Sequence, residues 1–98
     1  MNYYPYKSDK PDKKYYIITS TGKKVYFGAS DYQDFTQHKN EERKNRYIQR
    51  HKNNERWNDP TTAGFFSRWI TWNKKTLKES IQDTNNKFKN INIKFKSI

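Results

Sequence analysis

The chain has no cysteine, so it has no disulfide framework, no thiolate nucleophile and no cysteine-type zinc site. Its two histidines, His38 and His51, are too few for a convincing metal cluster, and no cofactor is expected. Leucine and valine occur once each, and no apolar run approaches the roughly 20 residues that a helical bilayer span needs. The first residues are polar and aromatic, unlike a secretory leader, so the expectation is a soluble protein of a reducing compartment. Acids are scarce as well. Ten Asp and Glu stand against 21 Lys and Arg in 98 residues, a formal charge of +11.

What is abundant is aromatic and basic. Leu, Ile, Val and Phe together make 16 of 98 residues, a share that with high net charge usually accompanies disorder. Phe, Tyr and Trp number 17, however, and each buried ring removes roughly 150–250 Å² from water. A small core can therefore be built from rings, and the length suits one domain. The 16 lysines and 11 asparagines are residues of AT-rich codons. Codon bias accounts for part of the lysine content but less well for the deficit of acids.

Patterning predicts an α+β fold: an N-terminal β-hairpin, two or three α-helices and a short C-terminal strand. Residues 1–14, with Pro5 and Pro11, read as an extended basic arm, and residues 15–98 as the single domain. Residues 15–28 (YYIITSTGKKVYFG) read as the hairpin. With Thr21-Gly22 as a two-residue turn, Tyr16 faces Phe27 and Ile18 faces Val25. Residues 40–57 read as a helix capped by Asn40, with Glu41 and Glu42 where the helix dipole favours anions. Further helices are expected from Thr61 or Thr62 and from Thr76. Residues 90–95 alternate as a strand that either joins the sheet or stays an unpaired edge. The predicted core is Tyr16, Ile18, Val25, Phe27, Ile48, Phe66, Trp69, Ile70, Leu77 and Ile81. Residues 57–73, its most apolar part, carry no net charge, whereas residues 40–56 carry +3 and 74–98 carry +5.

Three functional classes follow. The first is nucleic-acid binding, most directly to DNA, through phosphates and with weak sequence preference. Arg43, Arg46 and Arg50 lie about one helical turn apart, and Lys52, Arg56, Lys74 and Lys75 extend the cationic set. A solvated helix face has the same pattern. The second is a structural role as a minor capsid or cement protein inserted between major capsid subunits. Its partner contacts would be Tyr3, Tyr4, Tyr6, Ile91, Ile93 and Phe95, and oligomers could form through the terminal strand. The third is catalytic. Tyr16-Ile17 on one strand and Tyr26-Phe27-Gly28 on the next faintly resemble the GIY-YIG nucleases, which would make Arg46, His51 and Glu79 the positional candidates. The first motif lacks its glycine, so the chain is not expected to be an enzyme. Arg68 is expected to lie over an aromatic ring or to be a surface guanidinium, and His51 on a helix face beside Tyr47.

The stretches VYFGASDYQDFTQHKNEERKNRYIQRHKNNERW and TAGFFSRWITWNKKTL resemble a family of small, basic, uncharacterised proteins of nucleocytoplasmic large DNA viruses. The likeness runs over roughly residues 15–88. It rests on Tyr26, Gly28, Asp34, His38, Arg43, Arg46, Tyr47, Arg50, His51, Thr62, Ala63, Gly64, Ser67, Arg68, Trp69 and Trp72. Asn40 stands where the family has aspartate and Lys75 where it has proline. The resemblance implies a giant-virus origin, with the protein in the virion and in the host-cell viral factory during assembly. It implies no particular chemistry.

Overall fold

A computed structural model describes residues 2–94. Strands β1 (Asn2–Lys7), β2 (Lys13–Ile18) and β3 (Lys24–Ala29) come first, followed by helices α1 (Phe35–His38) and α2 (Glu41–His51). Helix α3 (Ala63–Phe66) continues as a π-helical turn (Ser67–Thr71), and α4 (Leu77–Lys87) and β4 (Asn92–Ile93) close the domain. The sheet order is β3-β2-β1-β4, with β1–β2 and β2–β3 antiparallel and β1–β4 parallel. The α+β architecture is the one the patterning predicts.

The hairpin forms in a different register from the expected one. Thr19 N–H donates to the Lys23 carbonyl and Gly22 N–H to the Thr19 carbonyl, both at 2.9 Å. The loop therefore has three residues, 20–22, and Gly22 takes φ +87°, the left-handed position such loops require. The extra loop residue moves the pairing by one, so that Tyr15 faces Phe27 and Ile17 faces Val25. A slip of one residue turns every side chain to the other face. Ile17, Val25 and Phe27 are buried, whereas Tyr16 and Ile18, expected in the core, lie half-exposed on the opposite face.

The segment read as an arm supplies β1, which sits between β2 and β4. Tyr3 and Pro5 are buried in the sheet. Lys94 N–H donates to the Tyr3 carbonyl at 2.9 Å. The next rung of a parallel ladder would need an N–H at residue 5, and proline has none, so the pairing with β4 stops there. The terminal strand thus joins the sheet edge beside β1. Ile91 and Ile93 are 4% and 2% exposed and belong to the core, as does Tyr3 at 4%, so these three are not free for a partner. Phe95 lies outside the described residues.

Each helix start is set by a side chain that the sequence offers. Asn40, Thr62 and Thr76 accept from the backbone N–H of Arg43, Phe65 and Glu79 at 3.1, 3.2 and 3.1 Å, which satisfies donors the helix itself leaves open. Helix α2 ends at His51, six residues before the expected end. In the π-helical turn, Trp72 N–H reaches back five residues to the Ser67 carbonyl at 2.9 Å. This keeps Phe65, Phe66, Ile70 and Thr71 at the core and turns Trp72 toward α2.

The core joins Tyr3, Ile17, Val25, Phe27, Phe65, Phe66, Ile70, Ile81, Ile91 and Ile93, with Tyr15, Trp69, Leu77 and Phe88 packed at its margin. Much of the contact is ring on ring: Phe27 and Phe66 at 5.8 Å, Phe65 and Phe66 at 5.1 Å, Phe65 and Phe88 at 5.1 Å between centroids. Ile48, expected inside, is half-exposed, and its neighbour Tyr47 is buried instead. No helix among the described residues is long and apolar enough to cross a membrane.

Candidate nucleic-acid interface

Helix α2 is joined to the rest of the molecule by an aromatic column rather than by the main core. The His51 ring stacks on Tyr47 at 4.4 Å, Tyr47 on Trp72 at 4.4 Å and 2° between planes, and Trp72 meets His38 at 5.3 Å. The expected place of His51 beside Tyr47 is thus observed. Burial raises the Tyr47 hydroxyl pKa beyond the tyrosine range, so the ring stays neutral. A cavity of about 420 Å³ lies between α2, β3 and α3. Its walls include Lys13, Lys14, Tyr32, Arg50, His51 and Trp72.

Two hydrogen-bonded clusters shape this cavity. At one side, Lys14 Nζ lies 2.8 Å from Asp34 Oδ2, with both side chains nearly buried. Asp34 also caps α1, accepting from Thr36 N–H at 3.0 Å, while Gln37 accepts from the Asp34 N–H at 3.0 Å. Gly28, at φ +80°, lets β3 pass beside Lys14, where a Cβ would come within 3.3 Å of Lys14 Cβ. At the other side, Glu55 Oε2 is 2.7 Å from His51 Nδ1, and Glu55 Oε1 accepts from Trp57 Nε1 at 3.0 Å. Gly64 leaves room for that carboxylate, since a Cβ there would stand 3.0 Å from Glu55 Oε1.

A second groove, of about 180 Å³, shares walls with the first. Arg43, Arg46 and Arg50 line it together with Tyr32, Gln33 and Trp72. Arg50, Tyr32 and Trp72 border both spaces. Tyr32 is 67% exposed, the only large hydrophobic side chain among the described residues that is so open. Arg46 pairs with Glu42 at 3.0 Å, but both ends are exposed and such pairs contribute little. Arg43 and Arg50 take part in no ion pair among the described residues.

The sequence-predicted cationic set therefore divides. Arg43, Arg46 and Arg50 converge. Lys52 and Arg56 are exposed at and after the end of α2. Lys74 and Lys75 line a different cleft, where Glu41 and Glu79 supply opposing charge. Lys44, on the other flank of α2, is committed to structure: its ammonium donates to the Asn73 carbonyl at 2.7 Å, and desolvation lowers its pKa. Arg68 lies 4.3 Å from the Trp69 ring centroid and 5.4 Å from that of Trp57, over aromatic rings as expected. Of the three nuclease candidates, His51 lines the cavity and Arg46 the adjoining groove, whereas Glu79 lies in the separate cleft. No group of three or more His, Cys, Asp or Glu among the described residues could hold a metal ion. Sequence reasoning missed Tyr32 and Lys13 at this site. A large ring among the polar residues between β3 and α1 was the available signal for Tyr32.

A family profile described as "Family of unknown function (DUF5754)" matches residues 6–51, just under half of the chain. The matched stretch runs from the end of β1 through α2, so it contains Tyr32 and all three converging arginines. No curated protein and no solved structure matches the chain.

Proposed function

We propose that this protein binds nucleic acid through its phosphates, with weak sequence preference, using the arginine face of α2. The observation that carries this reading is the convergence of Arg43, Arg46 and Arg50 on one groove beside the exposed ring of Tyr32. Guanidinium groups bind phosphate oxygens bidentately, and a neighbouring ring can stack on a base or a sugar. The formal charge of +11 adds long-range attraction for a polyanion.

Affinity for a random-sequence DNA duplex should fall steeply with salt. Replacing Arg43, Arg46 and Arg50 together by Ala should reduce the slope of log affinity against log salt by about 2–3, since each lost phosphate contact removes roughly 0.9. Lys74→Ala with Lys75→Ala should change it less, because those lysines face acids of their own. Retention measured by fluorescence anisotropy across a salt series reads both. An unchanged slope in the triple variant would refute the assignment.

A further inference from the structure

The register that buries Ile17 and Val25 also puts a row of tyrosines on the sheet face turned away from the helices. Tyr6 pairs with Tyr16 and Tyr16 with Tyr26 across three strands. Their ring centroids are 5.3 and 5.4 Å apart, and all three side chains are half-exposed. The next row holds Tyr4, Ile18 and Lys24. Two ammonium groups sit above the rings: Lys24 at 4.6 Å from the Tyr16 centroid and Lys10 at 4.2 Å from that of Tyr26. The acid at this face, Asp9, is engaged by the Tyr26 hydroxyl at 2.6 Å.

We infer that this open face is a second binding surface, a stacking platform for single-stranded nucleic acid. Three contiguous half-exposed rings with ammonium groups over them give the solvent side of this antiparallel sheet both a stacking surface and cationic charge. Tyr6 and Tyr16 stack on each other, while Lys24 and Lys10 lie over a face of Tyr16 and of Tyr26, and a base can stack in the position each ammonium group now takes once that group moves aside. The charge complements a polyanion, for the displaced ammonium groups have stems long enough to follow the phosphates. Bases within a duplex are already stacked on each other, so the platform selects a single strand. This surface is separate from the arginine groove and stands or falls without it.

The test uses the full chain, a short oligothymidylate and an abasic oligonucleotide of equal length, which keeps the phosphates but lacks bases. Oligothymidylate should bind about tenfold more tightly than its abasic counterpart. Tyr16→Thr with Tyr26→Thr, which retain strand preference, should abolish that ratio. The Arg43, Arg46 and Arg50 triple Ala variant should lower both affinities and leave the ratio intact. Should the tyrosine variant fail to fold, photocrosslinking of a 5-iodouracil oligonucleotide to the unmodified protein should label Tyr6, Tyr16 or Tyr26. Equal affinity for the two oligonucleotides, equal affinity for polyglutamate, or crosslinks confined to Tyr32 and Trp72 would overturn the platform.

Discussion

Asp34 illustrates how much one side chain can organise. It is 3% exposed, caps α1 and neutralises Lys14. Asp34→Ala should cost about 3 kcal/mol or more, because a nearly buried ammonium is left unpaired and a cap is lost at once. A denaturant midpoint checks this, and adding Lys14→Met should return part of the loss. His38 makes a pH prediction. Its Nδ1 accepts from Asn40 N–H at 2.9 Å and its Nε2 is buried without a partner. Desolvation first, and then the nearby Arg43 charge, hold its pKa below the ordinary 6.5. The unfolded chain therefore takes up a proton below that value that the folded chain refuses. The His38 contribution to stability should be complete above pH 6.5 and decline as the pH falls toward the folded-state value. Denaturant midpoints followed from about pH 8 to about pH 5 should show that decline in the wild type and a flatter profile in His38→Gln.

Among the elements, the hairpin is the sharpest case. Ile17 and Ile18 are adjacent and chemically identical, and the loop length decides which is core. Ile17→Ala should cost about 2–5 kcal/mol as a fully buried large-to-small change, whereas Ile18→Ala should cost less than about 1 kcal/mol. The two-residue turn would require the reverse order, so a pair of thermal melts distinguishes the registers. Helix starts were legible because caps are local: Asn40, Thr62 and Thr76 need only the N–H groups two or three residues ahead. The end of α2 was not, because no glycine or proline marks it and Lys52 at its C-terminal cap still has helical dihedrals.

On the scale of the molecule, α2 is attached through Tyr47 on Trp72 and Lys44 on the Asn73 carbonyl rather than through the main cluster. Trp72→Ala should therefore loosen α2 and, under the proposed function, weaken DNA binding even though no arginine is touched. Hydrogen exchange should rise within residues 41–51 while the strands stay protected, and uniform exchange across the fold would contradict this attachment. The placement of the arginine face thus depends on a tryptophan that does not itself contribute charge.

The amino-acid sequence by itself determined the α+β class, the helix caps, a core rich in rings and the spacing of Arg43, Arg46 and Arg50 along one helix, because these follow from composition and from contacts within one or two turns. Only the tertiary structure decided the hairpin register, the use of residues 2–7 as a sheet strand and the burial of Ile91 and Ile93. Each depends on pairing between distant segments, where one residue more or less in a loop turns a buried face outward. The same shift that moved Tyr16 out of the core aligned it with Tyr6 and Tyr26.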